Sequence, residues 1–280
     1  RELCLQITKD IKNYTKYLPN IKTVAVYGGS SIVEQIRSLR EKPQIIVGTP
    51  GRVIDLIGRK ALDFSAIHWL VLDEADEMLS MGFKDDLETI LKETPDEKQT
   101  LLFSATMNKE VERISKNYLT NPHKISVGSI NAVKKNISHE YYVVSYRQKK
   151  EALKRLIDAN PNQYSIIFCR TRAETQEVAD FLMQNGYAAD ALHGDLSQAQ
   201  RDTVMKKFRL KNIEILVATD VAARGLDVNS LTHVVHYSLP DDPEVFVHRS
   251  GRTGRAGKDG ISMALIKPEE TRKLKQIKAQ

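Results

Sequence analysis

Short apolar runs alternate with longer amphipathic stretches along nearly the whole 280-residue chain, and this alternation constrains the fold more than any other feature. The runs Lys22–Tyr27, Gln44–Gly48, Trp69–Leu72 and Gln99–Phe103 lack helical periodicity, and each is followed by glycine, an acid or small hydroxyls. Helical stretches lie between them, and a further strand is predicted at Lys124–Val127. The second half follows the same plan, with strands predicted at 141–145, 164–169, 188–192, 213–218, 233–237 and 261–266. Its helices fall at about 147–159, 172–185, 197–210 and 243–250. Regular alternation of strand and helix predicts an α/β fold with parallel sheets covered by helices on both faces. The length suits two domains. Residues 128–136, Gly-Ser-Ile-Asn-Ala-Val-Lys-Lys-Asn, are polar and without period, which divides the chain into a domain at 1–128, a linker at 129–136 and a domain at 137–280.

The halves read as repeats of one plan. Arg1, Gly29 and Thr49 correspond to Arg172, Gly194 and Thr219, at offsets of 171, 165 and 170 residues. The opening helix, over residues 1–18, places Leu3, Ile7, Ile11 and Tyr14 on one face. The net charge of +6 suits a polyanionic partner. Cys4 and Cys169 are far apart and outside any CxxC pair, so they read as buried free thiols of a reducing, cytoplasmic compartment. No apolar run reaches membrane-spanning length. The chain opens at Arg1-Glu-Leu-Cys and closes at Lys273–Lys278, both in helical pattern, and both ends have the look of cuts.

Chemistry concentrates at Trp69-Leu-Val-Leu-Asp-Glu-Ala-Asp76. The four apolar residues predict a strand buried on both faces. Its end delivers Asp73 and Glu74 into the crevice where open α/β sheets bind ligands. Asp73 is placed to hold Mg²⁺, directly or through water, because that ion takes carboxylate and phosphate oxygens. Glu74 is placed to orient or deprotonate a water. At a neighbouring strand end, the hydroxyls of Ser104 and Thr106 can bond the Asp76 carboxylate or a phosphate-bound water, or cap the helix that follows. In the second half, His248-Arg-Ser-Gly-Arg-Thr-Gly-Arg-Ala-Gly257 interleaves arginines with glycines. A helix end passing into a rigidly held loop fits that spacing, and such a loop can aim arginine fingers at a phosphoryl group.

The remaining candidates sit after strands and before helices. Gly28-Gly29, Thr49–Arg52, His193-Gly194 and Gln198 with Arg201 offer amides, hydroxyls and guanidinium groups that can track the backbone of a single nucleic-acid strand without reading bases. Thr219 can bind a backbone phosphate, and Asp227 can accept from a ribose hydroxyl or simply serve a turn. His193 and His248 lack metal-ligand spacing, which argues against zinc. No G-x-x-x-x-G-K-[ST] phosphate cradle occurs in residues 1–280.

Taken in order, Arg1-Glu-Leu, Gly28-Gly29, Thr49-Pro-Gly-Arg52, Asp73-Glu-Ala-Asp76, Ser104-Ala-Thr106, Ile166-Ile-Phe-Cys-Arg170, His193-Gly194 with Gln198 and Arg201, Ala218-Thr-Asp220 with Ala223-Arg-Gly-Leu-Asp227, and His248-Arg-Ser-Gly-Arg-Thr-Gly-Arg255 resemble the motifs of DEAD-box ATP-dependent RNA helicases of superfamily 2. The resemblance covers essentially the whole chain. It implies two RecA-like parallel-sheet domains in tandem, the first N-terminally truncated, since the family's Gln motif and P-loop would precede Arg1. It also implies RNA-stimulated hydrolysis of ATP with Mg²⁺ at the interdomain cleft, driving local unwinding of RNA duplexes or remodelling of RNA–protein complexes by a monomer.

By resemblance, Asp73 holds Mg²⁺ through water and Glu74 positions the attacking water. Asp76, Ser104, Thr106 and His248 couple the nucleotide to domain closure. Gly225 and Asp227 lie on the nucleotide, and Arg252 and Arg255 reach its γ-phosphate. Arg1, Gly29, Thr49, Gly51, Arg52, Arg172, Gly194, Gln198, Arg201 and Thr219 map to turns facing the sugar–phosphate backbone of RNA. Without the cradle, the 280 residues alone are expected to be inactive, and the first domain, deprived of a central strand, to be prone to aggregation. Two further readings stay open: a non-enzymatic RNA clamp, and a helicase acting on DNA.

Overall fold

The computed structural model describes residues 1–127, 136–223, 228, 231–255 and 257–278. The chain forms two compact units, Arg1–Ile130 and Asn131–Gln280. The predicted linker lies outside the described residues except for Asn136. No helix among the described residues is long and apolar enough to cross a membrane.

In the first unit, helix α1 (Glu2–Tyr14) leads to strand β1 (Thr23–Val26), α2 (Ile32–Leu39), β2 (Ile45–Gly48) and α3 (Pro50–Gly58). Ser31 caps α2 through the Glu34 amide, and Pro50 stands in the first turn of α3, where its missing N–H costs nothing. β1 and β2 pair in parallel, from Thr23 opposite Ile45 to Val26 opposite Gly48. The chain continues through β3 (Trp69–Leu72), α4 (Ala75–Ser80), α5 (Lys84–Lys92), β4 (Gln99–Leu102) and α6 (Lys109–Tyr118). β3 and β4 form a second parallel pair, from Trp69 opposite Gln99 to Leu72 opposite Leu102. Among the described residues no ladder joins the two pairs. Each has its own apolar cluster: Val26, Leu39, Val53, Leu56 and Ile90 on one, Leu72, Leu79, Leu87, Val111 and Ile114 on the other.

Three sequence expectations fail in this unit. β3 is not buried on both faces: Leu72 is 5% exposed, but Trp69 is 64% and Val71 53% exposed. Residues two apart share a face. Leu70 and Leu72 pack under the cluster that includes Leu79 of α4, Leu87 of α5 and Ile114 of α6, while Trp69, Val71 and nearby Phe103 remain open. No strand forms at Lys124–Val127, where Ile125 and Val127 are exposed, because a strand requires a partner ladder. In α1 the buried positions are Cys4 and Thr8, and Tyr14 is exposed, so the inward face is turned by about one residue from the predicted stripe.

The second unit holds one six-stranded parallel sheet: β5 (Ile137–Val143), β6 (Ser165–Cys169), β7 (Ala189–Leu192), β8 (Ile215–Thr219), β9 (His233–His236) and β10 (Gly260–Ile266), in the order β5-β10-β9-β6-β8-β7. Helices α7 (Lys149–Ala159) and α8 (Arg172–Gln184) supply Leu153, Ile157, Val178 and Leu182 to the face bearing Ile167, Val217 and Val235. Helix α9 (Gln198–Arg209) and the short α10 (Asp220–Ala223) cover Ile166, Phe168 and Leu216 on the other face. Helices α11 (Pro243–Ser250) and α12 (Thr271–Lys278) add Phe246, Leu274 and Ile277 against Ala264 and Ile266. Most predicted second-half spans land within two residues of these bounds, whereas β5 starts four residues before its predicted position.

The repeat is visible in three dimensions. In the first unit, α1, β1, α2 and β2 follow one another with β1 parallel to β2. In the second, α8, β7, α9 and β8 do the same with β7 parallel to β8. Arg1 and Arg172 open the two leading helices, Gly29 and Gly194 follow the first strands, and Thr49 and Thr219 stand at the ends of the second. Both cysteines are free and buried, and burial raises the Cys4 thiol to about 11.

Candidate active site and nucleic-acid interface

β3 ends at Leu72, and the chain turns into α4 within two residues. The turn is made by Glu74, which sits at φ 52° and ψ 46°. That left-handed conformation costs a non-glycine residue roughly 1–2 kcal/mol. Residues so held cluster at functional sites. The Glu74 amide donates to Asp73 Oδ1 at 3.0 Å, the one hydrogen bond Asp73 makes among the described residues. Asp73 therefore keeps one carboxylate oxygen for another ligand. Among the described residues no group of three or more His, Cys, Asp or Glu could hold a metal ion. A cation here would rest on one carboxylate plus water or phosphate oxygens, as Mg²⁺ commonly does.

Asp76 serves a different purpose. It is 3% exposed, and its Oδ2 accepts from both the Thr106 amide at 2.8 Å and Thr106 Oγ1 at 2.9 Å. The Asp76 amide donates to Ser104 Oγ at 3.3 Å, and Ser104 Oγ–H donates to the Thr106 carbonyl at 2.7 Å. The ends of β3 and β4 are thus tied by a satisfied polar network that joins Asp76, Ser104 and Thr106. The cap of α6 falls to Asn108, whose side chain accepts from the Glu110 and Val111 amides. The Ser104–Thr106 turn is left for Asp76.

The turns after β1 and β2 are also fastened to each other. Gly29 is left-handed at φ 77°, a conformation that admits glycine without strain. Arg52 of α3, expected to face outward, is 12% exposed in its side chain. Its guanidinium donates to the Ser30 carbonyl at 3.3 Å and to Gln35 Oε1 at 2.9 Å. Gln35, in turn, donates to the Tyr27 carbonyl at 3.1 Å and accepts from the Tyr27 amide at 3.3 Å. Arg1 stacks over the Tyr27 ring at 4.9 Å. Thr49 is the cap residue of α3, and a Cβ on Gly51 would meet nothing within 4 Å.

In the second unit, Arg172 is ion-paired with Asp195, which follows Gly194. Gln198 donates to Asp202 at 2.8 Å, and Arg201 approaches the Ala222 carbonyl at 3.5 Å. Thr219 ends β8 and is buried. Arg224, Gly225 and Asp227 lie outside the described residues.

The arginine–glycine segment starts as the last turn of α11, which carries His248, and leaves it at Gly251. Thr253 is fully buried and donates to the Leu231 carbonyl at 2.6 Å. Arg255 donates to the Gly251 carbonyl at 3.2 Å. Gly254 is left-handed at φ 63°, and a Cβ there would lie 2.7 Å from Ile137 Cγ1. The loop is pinned on several sides, with Arg252 and Arg255 half-buried along it.

Four residues that hold these turns had no role assigned from the sequence. Gln35 looked like an ordinary helix residue. Asn136 read as linker, yet its side chain donates to the Gly254 carbonyl at 2.9 Å and to that of Lys258. Arg249 is 4% exposed, with Nε and Nη2 on Asp220 at 2.5 and 2.7 Å and Nη1 on the Ser238 carbonyl at 2.7 Å. Asp220 directly follows Thr219, and both it and Arg249 stand within the motifs quoted from the sequence, without their pairing being evident there.

Known proteins share this arrangement. A DEAD/DEAH box helicase family matches residues 1–114, and a helicase conserved C-terminal domain matches residues 148–257. The ATP-dependent RNA helicase CshA of Listeria monocytogenes is 47% identical over 270 residues, which are 96% of this chain and 52% of that protein. The DEAD-box ATP-dependent RNA helicase CshA of Bacillus subtilis is 46% identical, over 99% of this chain and 56% of its own length. The chain spans about half the length of the curated relatives it matches. Among solved structures, Saccharomyces cerevisiae Dbp5 bound to RNA and ADP BeF3 aligns with all of this chain and 72% of its own at a TM-score of 0.86 and 30% identity. A DEAD box protein from Methanococcus jannaschii is 43% identical at a TM-score of 0.54, over 99% of this chain and 75% of its own. The fold is therefore the tandem RecA-like one, and with both halves matched and that identity over three quarters of a solved member, the chain belongs to the DEAD-box helicase family.

Proposed function

We propose that the chain is part of the RNA-binding and ATP-hydrolysing core of an ATP-dependent RNA helicase that separates short duplexes or remodels RNA–protein complexes. The observation that carries this reading is the acid turn: Asp73 with one open carboxylate oxygen, Glu74 held left-handed beside it, and Asp76 tied to Thr106. Mg²⁺, when bound, would neutralise phosphate charge and rest on Asp73 through water. Glu74 would orient the attacking water, and Arg252 and Arg255 would meet charge developing on the γ-phosphate. Asp227 and Gly225 would contact the nucleotide. The link from Asp76 through Ser104 and Thr106 gives the acid turn a route to the neighbouring strand, and His248 would serve coupling from the arginine segment. The 280 residues hold no G-x-x-x-x-G-K-[ST] run, and on their own they would turn over no ATP.

RNA would lie along Arg1, Gly29, Thr49 and Gly51 of the first unit, with Arg52 standing at the same turn, and along Arg172, Gly194, Gln198, Arg201 and Thr219 of the second. Three of them, Arg1, Gly29 and Thr49, have counterparts in Arg172, Gly194 and Thr219 in the two copies of one helix–strand–helix–strand plan, which suits a repeating backbone. The experiment is RNA-stimulated ATP hydrolysis by the intact protein. Arg252→Ala and Arg255→Ala are each expected to lower it by about 10³-fold or more. Near-normal turnover in both would sink the assignment. A non-enzymatic clamp would bind RNA and show no turnover in the unmodified protein. Matched RNA and DNA strands separate RNA from DNA action, because 2′-hydroxyl contacts distinguish them.

A further inference from the structure

We infer that Gln35 is a positioning residue for the nucleic-acid surface of the first unit, and that Arg52 acts with it as an internal brace and not as a phosphate contact. The inference rests on the proposed RNA-binding reading. Apart from Arg1, the first-unit candidates lie on two segments: the loop Tyr27–Ser30 after β1 and the cap and first turn of α3, Thr49–Arg52, after β2. Gln35 sits on α2 between them and is 6% exposed. Its amide satisfies both backbone groups of Tyr27, taking the N–H at 3.3 Å and giving to the carbonyl at 3.1 Å. Its Oε1 also accepts from Arg52 Nη1 at 2.9 Å. Arg52 spends both terminal nitrogens on the Ser30 carbonyl, and its Nε lies 3.9 Å from Asp55.

Geometry decides the role. A guanidinium that grips a phosphate presents its fork to solvent. Here the fork points at protein acceptors and the side chain is 12% exposed. What the pair controls is the distance between the left-handed Gly29 turn and the first turn of α3. Backbone amides recognise phosphates only when pre-set, because ordering them on binding costs affinity.

The test is equilibrium binding of a short single-stranded RNA to the intact protein by fluorescence anisotropy, over a series of salt concentrations. Gln35→Met keeps the volume and removes the bonds. It is expected to weaken binding roughly tenfold, the usual consequence of losing a hydrogen bond to a charged group. Arg52→Ala should weaken it by a similar factor, and the double variant by no more than either alone. Gln35→Glu loses the donor to the Tyr27 carbonyl but retains the acceptor for the Tyr27 amide and gives Arg52 a charged one, so binding should stay within about threefold of the parent despite the added negative charge. The parent salt slope should persist in Gln35→Met. Far-UV circular dichroism and the unfolding midpoint establish that each variant is folded, and Gln35→Glu keeps the test decisive if Gln35→Met does not fold.

The opposite pattern overturns the inference: Gln35→Met binding like the parent, Gln35→Glu weakened by charge repulsion, and Arg52→Ala alone losing affinity with a slope shallower by about 0.7, the signature of one lost phosphate on a single strand. A parent protein that binds no RNA would refute the functional reading itself, a result distinct from either pattern.

Discussion

Every residue of β6 and β8 is buried in the second unit, whereas β3 of the first buries only Leu72 of its four. The sequences are comparably apolar: Ile-Leu-Val-Ala-Thr in β8 and Trp-Leu-Val-Leu in β3. The difference lies in the neighbours. β8 has β6 on one side and β7 on the other, with helices over both faces. Among the described residues, β3 has β4 alone and helices over one face. An apolar run specifies a strand, but burial on both faces needs a layer packed over each face. The polar groups divide the same way. The second unit buries the guanidinium of Arg249, paired with a half-buried Asp220, and a lysine, Lys149, bonded to the Tyr237 carbonyl at 2.7 Å. In the first unit the Arg113 guanidinium, paired with Glu88, lies nearer solvent.

The sharpest way to break the comparison is to remove one ion of each kind. Asp220→Ala strands Arg249 in the core and is expected to destabilise the second unit by about 3–5 kcal/mol, read from the urea transition of that unit. Arg113→Ala is expected to cost under about 1 kcal/mol in the first. Equal losses would erase the distinction. An intermediate effect comes from pH. Burial holds the imidazoles of His236 and His233 below the ordinary value of 6.5, and Arg249 pushes His236 further down. The folded second unit keeps them neutral, while the unfolded chain takes up their protons near 6.5. Stability is thus complete above that pH and is lost as pH falls toward the folded values, by up to about 1.4 kcal/mol per pH unit for each imidazole. Urea midpoints at pH 7.5 and 5.5 measure it, and His236→Gln should flatten the dependence. The smallest effect is on the open face of β3. Val71→Thr is expected to change stability by no more than about 0.5 kcal/mol and to lower light scattering on concentration. A loss of 2 kcal/mol or so, typical of a cavity in a packed core, would mean that this face is covered.

Periodicity made most strands and helices legible, because backbone pairing rewards short apolar runs wherever they fall. It failed at Lys124–Val127, which has the residues of a strand and no ladder to join. The acid turn was legible as chemistry, since Asp73 and Glu74 directly follow an apolar run. Its geometry was not, because nothing local announces a left-handed Glu74. The contact of Asp76 with Thr106 spans 30 residues and was foreseen only as one of three options for the hydroxyls. Arg52 illustrates the limit best. Its residue type and position after Thr-Pro-Gly argued for an outward guanidinium, and the structure turns it onto Ser30 and Gln35.

By itself, then, the sequence determined the parallel α/β plan, its duplication and the residue types at each strand end, because these depend on local period and on which side chains carry charge or hydroxyls. Tertiary structure alone decided which of those side chains meet solvent and which are spent inside the protein. Hydrogen-bond partners such as Gln35 for Arg52, Asp220 for Arg249 and Asn136 for the Gly254 carbonyl come from segments 17, 29 and 118 residues away, distances over which no local pattern can act.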